Sequence, residues 1–309
     1  MKGKEPIVYL RGEFLPASRA ALSIYDCGVT LGATVVETTR TFRGEPYRLE
    51  DHIGRLYRSM KACRMDTGFD PARMRELTMR VVRHNARLLS ADEDLGIIHF
   101  VTPGTNPVYA GSAGAGGKLS PTVGIHTFVL PFHLWKKYYT RGAHVVTPST
   151  RHVPPVCVDP KIKNRSRLHW WIADGETRQV DRDGIPLLLD LYGNITETGG
   201  ANFLIVKGGE VLSPTSRNIL EGVSREVVRE LCGELAIPFH ERDLAVYDVV
   251  NADEAFLTST PYCLAPVTHI NNIPIASGRT GPTTKRLLRA WSDRLDFDIV
   301  GQITKAKRT

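Results

Sequence analysis

Val158-Asp159-Pro160-Lys161-Ile162-Lys163-Asn164 is the stretch on which the reading of this chain turns. Taken alone it is an exposed turn carrying two lysines, and most lysines are solvated. Beyond it, 34 residues from Lys163, Glu197 sits inside Gly193-Asn194-Ile195-Thr196-Glu197-Thr198-Gly199-Gly200-Ala201-Asn202-Phe203. Without Lys163 the better reading of Glu197 is an exposed carboxylate at a strand end, since glutamate is rarely buried. Further along, Leu220-Glu221-Gly222-Val223-Ser224-Arg225 is a glycine turn opening an apparent helix, where backbone amides and hydroxyls can meet a phosphate. A plain helix cap explains Ser224 equally well.

Outward from these segments, the 309-residue chain is 42% apolar, enough to bury one large core or two modest ones. Met1 to Pro6 is polar, and no apolar run approaches the roughly 20 residues a bilayer requires, so a soluble cytoplasmic protein is expected. The five cysteines are scattered and lack a Cys-x-x-Cys pair, which argues against a disulfide framework and against a metal site. A net charge of +7 is spread among acidic residues and forms no basic block, so nucleic acid is not the expected partner. A positive field also suits an anionic cofactor and anionic substrates.

The first half reads as a hairpin, Ile7 to Leu10 and Glu13 to Leu15, then a strand at Val35 to Phe42 turning through Arg43-Gly44-Glu45 to Tyr47 to Leu49. Two amphipathic helices follow, about Glu50 to Arg64 and about Pro71 to Leu89, before strands at Gly96 to Thr102 and Thr122 to Leu130. Between those strands, Ala110 to Leu119 is rich in Gly, Ala and Ser and reads as a mobile loop or lid. The expected organisation is two α/β domains: residues 1–129, a connection at 130–138, and a larger domain at 139–309 carrying Lys163. In the second, Ala143 to Pro148, Pro186 to Ile195 and Asn202 to Val206 read as strands, Val223 to Leu235 and Thr283 to Leu295 as helices.

The lysine segment resembles that of fold-type IV pyridoxal-phosphate enzymes, and Arg151-His152-Val153-Pro154-Pro155 through Lys163-Asn164 is most similar to the (R)-selective amine transaminases among them. The resemblance implies a two-domain α/β (α+β) fold of the D-amino-acid aminotransferase type. It also implies that Lys163, and not Lys161, holds pyridoxal 5'-phosphate covalently and moves the substrate α-proton. Glu197 takes the family's place beside the pyridine nitrogen, where a carboxylate keeps that nitrogen protonated. Leu220 takes the place against the ring, with the Val223 and Ser224 amides and the Ser224 hydroxyl toward the phosphate. Phe256-Leu257-Thr258-Ser259-Thr260 resembles the second phosphate turn, implicating the Ser259 amide and Thr260 hydroxyl. His52-Ile53-Gly54-Arg55-Leu56 resembles the family's helix whose arginine pairs with the phosphate, although on periodicity Arg55 is an ordinary solvated helix residue.

Substrate residues are expected along Gly32 to Arg40 and Gly96 to Thr102. Alternation puts Val36, Thr38 and Arg40 on one strand face, making Arg40 either a carboxylate anchor or one half of a structural pair with Glu37 or another acid. Ile98 aligns where branched-chain enzymes show an arginine and Gly96 where they show a tyrosine, and the D-amino-acid enzymes' carboxylate trap has no match near Val108 and Ala110. The implied activity is ping-pong transamination from an amino acid or amine to a 2-oxo acid by a homodimer whose site lies between its domains. Thr38 also matches aminodeoxychorismate lyases, which leaves a pyruvate-releasing lyase as the alternative. A non-catalytic cofactor-binding protein is disfavoured by the presence of both Lys163 and Glu197.

Overall fold

The computed structural model describes residues 5–109, 111–112 and 120–307. The expected loop at 110–119 falls almost entirely outside them. The described residues form two compact units, one of those up to 130 together with 162–166, and the other of 131–161 together with those from 167 to 307. Against the expected boundaries, the lysine segment at 162–166 therefore belongs with the first unit, and the connection placed at 130–138 is mostly helix.

In the first unit, β1 (Ile7–Leu10), β2 (Glu13–Pro16), a short helix α1 (Cys27–Thr30), β3 (Val35–Phe42), β4 (Glu45–Pro46), α2 (Leu49–Ala62), α3 (Pro71–Ala86), β5 (Leu95–Thr102) and β6 (Thr122–Val129) follow in order. The six strands make one sheet in the order β2-β1-β6-β5-β3-β4. Side-chain alternation divides β3, β5 and β6 into two faces. Val35, Ile97, Val101, Val123 and Ile125 pack with Ile53, Leu56 and Met60 of α2 and Met74, Leu77 and Val81 of α3. These helices form because their apolar residues recur at three- and four-residue spacing, and Asp70 starts α3 by accepting from Arg73 N at 2.7 Å, with Pro71 just inside. Tyr47 to Leu49 does not extend as a strand, because Leu49 already opens α2.

The opposite face carries Val36, Thr38 and Arg40 beside Ile98 and Phe100, which in turn pair with His126 and Gly124. Two glycines on it underlie aromatic rings: a β-carbon on Gly124 would meet the Phe100 ring at 2.1 Å and one on Gly96 the Phe128 ring at 2.3 Å. Each ring thus covers its cross-strand glycine, a pairing that pins strand register.

The second unit contains α4 (Phe132–Thr140), β7 (Ala143–Val146), α5 (Leu168–Val180), β8 (Ile185–Leu189), β9 (Ile195–Thr198), β10 (Asn202–Lys207), β11 (Glu210–Ser213), α6 (Val223–Glu234), β12 (Phe239–Glu241), α7 (Val246–Val250), β13 (Glu254–Ser259), β14 (Cys263–Ile270), β15 (Ile273–Pro274), α8 (Pro282–Leu295) and α9 (Ile299–Lys305). Its sheet runs β12-β11-β10-β13-β14-β7-β8-β9, and β9 also pairs with β10 through Glu197 opposite Asn202. That pairing closes β10, β13, β14, β7, β8 and β9 into a circuit. The expected strand Pro186 to Ile195 is two strands, because the Asp190 carboxylate accepts from the amides of Tyr192 at 2.8 Å and Asn194 at 2.9 Å and turns the chain. The β10–β11 turn uses Gly208 and Gly209, both at positive φ. No helix among the described residues is long and apolar enough to cross a membrane.

Candidate active site

Lys163 is held by its backbone. Its amide donates to Ser59 Oγ at 3.2 Å, and its carbonyl accepts from Val36 N at 2.9 Å. The pairing continues as an isolated bridge between Val35 and Asn164, so the lysine segment is tied to the start of β3 between bends at Ile162 and Arg165. Lys161 lies outside this pairing, exposed and joined to Asp159 at 3.2 Å.

Beside Lys163 in the first unit is a buried polar cluster that sequence reading only touched. Glu37, with 0% of its side chain exposed, accepts from Arg55 Nε at 2.8 Å and Nη2 at 2.6 Å, from Thr38 N at 2.8 Å, and lies 3.0 Å from His52 Nδ1. Burial alone would raise the Glu37 carboxyl, but the Arg55 charge and the hydrogen bonds from Arg55 and His52 outweigh it and hold the group well below the usual carboxylate range. Burial depresses His52, helped by the Arg55 and Lys163 charges and opposed by Glu37. Arg55 is therefore a buried partner of Glu37, not a solvated helix residue as its periodicity suggests. Ser59, His52 and Glu37 had only weak signals: they lie in the His52 helix and on the β3 face opposite the one read for substrate.

Arg40 is buried as well, at 0% exposure, with Nη2 3.6 Å from Asp94, Nε donating to the Thr41 carbonyl at 3.0 Å, and its guanidinium over the Phe42 ring. Of the two readings of Arg40 this geometry is the structural pair, and its acid is Asp94, not Glu37. Val36 and Ile98 are buried on the same sheet face, and Thr38, opposite Ile98, is half-buried there.

In the second unit, Glu197 retains 13% side-chain exposure. Its Oε2 accepts from Asn202 Nδ2 at 2.9 Å and Leu220 N at 3.1 Å. Its Oε1 faces His152 Nε2 at 3.7 Å, beyond hydrogen-bond reach. Asn202 Nδ2 also donates to the Leu220 carbonyl at 2.9 Å, so one amide fixes both the carboxylate and the chain entering α6. At Gly222 a β-carbon would lie 2.1 Å from Asn202 Oδ1, so only glycine fits. Gly222 is the residue before α6 and supplies no side-chain cap, which leaves the first amides of the helix, at Val223 and Ser224, oriented for an anion. Ser224 is inside the helix, so the plain cap reading does not hold. Ser259 Oγ donates to the Gly200 carbonyl at 2.5 Å, tying the end of β13 to the turn after Glu197, and Thr260 follows at the turn.

His152, His169 and Trp170 pack ring against ring with centroids 5.4–6.0 Å apart. The His152 amide donates to the Leu189 carbonyl at 2.9 Å. Asn202 and His152 were missed as site members, although both lie within the quoted motifs.

The amino-transferase class IV family model matches residues 34–270. A branched-chain-amino-acid aminotransferase of Pseudomonas aeruginosa is 26% identical over 99% of this chain and 96% of its own, and a D-alanine aminotransferase of Bacillus licheniformis is 29% identical over 93% and 96%. In fold, a T.th. branched-chain amino acid aminotransferase solved with pyridoxamine 5'-phosphate superposes with a TM-score of 0.81 at 24% identity, covering 97% of this chain and 96% of its own. With its matched region spanning most of its length, from the β3 strand beside Lys163 through the Glu197 strand to β14, the chain belongs to the class IV aminotransferases.

Proposed function

We propose that this aminotransferase works with pyridoxal 5'-phosphate on Lys163 and passes an amino group from an amino acid or amine to a 2-oxo acid in two half-reactions. The observation that carries the reading is Glu197: its Oε2 is saturated by Asn202 and Leu220, while Oε1 has no hydrogen-bond donor within reach among the described residues. A carboxylate held rigidly with one oxygen free suits a protonated ring nitrogen. The uncapped start of α6 likewise suits a phosphate. When bound, the cofactor supplies an aldehyde that takes up the amino group and a ring that accepts the electrons released at the substrate α-carbon.

The chain's own groups divide the remaining work. Lys163 Nζ takes the α-proton and returns it, its backbone being pinned by Ser59 and Val36. Glu197 holds positive charge on the ring nitrogen. Leu220 covers the ring. The Val223, Ser224 and Ser259 amides and the Ser224 and Thr260 hydroxyls hold the phosphate. Arg55, whose Nε and Nη2 donate to Glu37, is the arginine that pairs with that phosphate in this reading. Val36, Thr38 and Ile98 border the substrate.

The relatives' names, covering both branched-chain and D-alanine aminotransferases, support amino-acid donors and 2-oxo-acid acceptors and weigh against the lyase. A homodimer belongs to the same reading. The exposed apolar residues Leu168, Trp171 and Ile172 on α5 support it, and sedimentation tests it. The functional test is a half-reaction. Protein loaded with pyridoxal phosphate and given single donors should convert to the pyridoxamine form, revert on adding a 2-oxo acid, and release no pyruvate from aminodeoxychorismate. Pyruvate release without an acceptor would overturn the reading.

A further inference from the structure

Arg165 is two residues from Lys163. In the bridge to β3, Val36 N donates to the Lys163 carbonyl and Arg165 N donates to the Thr34 carbonyl, both at 2.9 Å, with Val35 opposite Asn164. In such an antiparallel pairing Lys163 stands opposite Val36 and Arg165 opposite Thr34. Because side chains alternate, Lys163 and Arg165 both project on the face away from α2 and α3, the face carrying Val36, Thr38, Ile98, Phe100 and His126. None of these is acidic, and Arg165, which is exposed, makes no ion pair among the described residues. The contrast with Arg40 and Arg55, each joined to a buried carboxylate, is direct. The Arg165 charge lowers His126, itself depressed mainly by burial, so the guanidinium is felt across β3 and β5 on the third strand of that face. Desolvation also lowers Arg165.

From this placement we propose that Arg165 is the carboxylate anchor of the substrate face, selecting amino acids and 2-oxo acids over amines that lack a carboxylate. The proposal rests on the assignment of Lys163 as the reacting amine. Two residues of chain span at most roughly 7 Å. An arginine at that distance on the same face reaches a carboxylate on or near the carbon bonded to the reacting nitrogen. A guanidinium also matches a carboxylate in a two-pronged fashion that lysine does not. Arg40, locked to Asp94, is relieved of that role.

The test is Arg165→Gln in the loaded enzyme, with Arg165→Lys beside it. A lost charged hydrogen-bond pair corresponds to about a 10- to 100-fold change in affinity. The KM for 4-methyl-2-oxopentanoate should rise by about that factor in Arg165→Gln and less in Arg165→Lys. The half-reaction with 1-phenylethylamine, which has no carboxylate, should change less than about 3-fold. Calorimetric titration with hexanoate should show the same weakening in Arg165→Gln, and titration with hexanamide should not change between variant and parent. Equal losses with the oxo acid and the amine, or an unchanged hexanoate affinity, would overturn the proposal. Cofactor uptake by Lys163 is scored separately: if the parent protein takes none, the assignment of Lys163 fails, and the hexanoate titration still decides whether Arg165 binds carboxylates.

Discussion

Glu37 and Glu197 are both glutamates on sheet strands, and their surroundings differ in one respect that decides what each can do. Glu37 has no exposed surface, and both oxygens are taken by Arg55, His52 and the Thr38 amide. Glu197 keeps one oxygen unfilled among the described residues, and some exposure. A fully paired buried carboxylate is internal structure: removing it leaves an uncompensated charge behind. A carboxylate with a vacant lone pair at the end of a rigid mount is available to something else. The same contrast separates Arg40 from Arg165.

The largest effect that would sharpen this contrast is expected at Lys163. Lys163→Ala should abolish covalent cofactor attachment and reduce turnover by about 1000-fold or more, as removal of a positioned general base does, measured by absorbance and steady-state kinetics. Next, Glu197→Gln should lower turnover by about 100- to 1000-fold, the scale of losing one preorganised electrostatic group, and leave urea unfolding within about 1 kcal/mol of the parent. Glu37→Gln should do the reverse in kind, costing about 3–5 kcal/mol in unfolding because Arg55 is left buried with its charge unmatched. If Glu37→Gln were stable and Glu197→Gln unfolded, the contrast between the two carboxylates would be inverted.

A smaller effect is written into pH. His99 is buried with its Nε2 2.7 Å from Thr78 Oγ1, and burial lowers it to about 4, with the His52 and His126 charges adding and Glu37 opposing. A histidine depressed in the folded state is protonated first in the unfolded chain. Stability is therefore full above about pH 6.5 and is lost as pH falls toward about 4, by on the order of 3 kcal/mol in all. Glu37, held low, adds a second loss as pH falls below the ordinary carboxylate range. His99→Gln should flatten the first of these two steps in urea titrations at about pH 7 and about pH 4.5. The smallest effect is expected at Lys161→Ala, with turnover within about 2-fold of the parent, because its partner Asp159 is a solvated pair worth little.

In the first unit, β3 at Val35–Phe42 is readable from its β-branched run, although it is buried on both faces, and α3 from Pro71 is readable from apolar residues at helical spacing. Helix α5 escaped because its apolar residues do not share one side. Trp170 and Ala173 are buried, whereas Leu168, Trp171 and Ile172 are exposed. Helix α4, read as a connection, has an apolar aromatic run broken by lysines and begins just after Pro131. For the candidate site, motif order in the sequence singles out Lys163, Glu197, Gly222 and Ser259 for the proposed roles, but partner choice is a property of three dimensions. Nothing in the spacing of residues 37, 40, 55 and 94 says that Arg55 takes Glu37 and Arg40 takes Asp94. Nor does sequence spacing reveal that the segment around Lys163 is bridged to β3 at Val35, the pairing that sets Lys163 opposite Val36 and Arg165 opposite Thr34.

The most direct measurement is to add pyridoxal phosphate to the purified protein, reduce with borohydride, digest, and locate the added mass. A visible absorption band before reduction and a label confined to Lys163 are the predicted result. No band, or a label on Lys161 in place of Lys163, would contradict the assignment on which the proposed function rests.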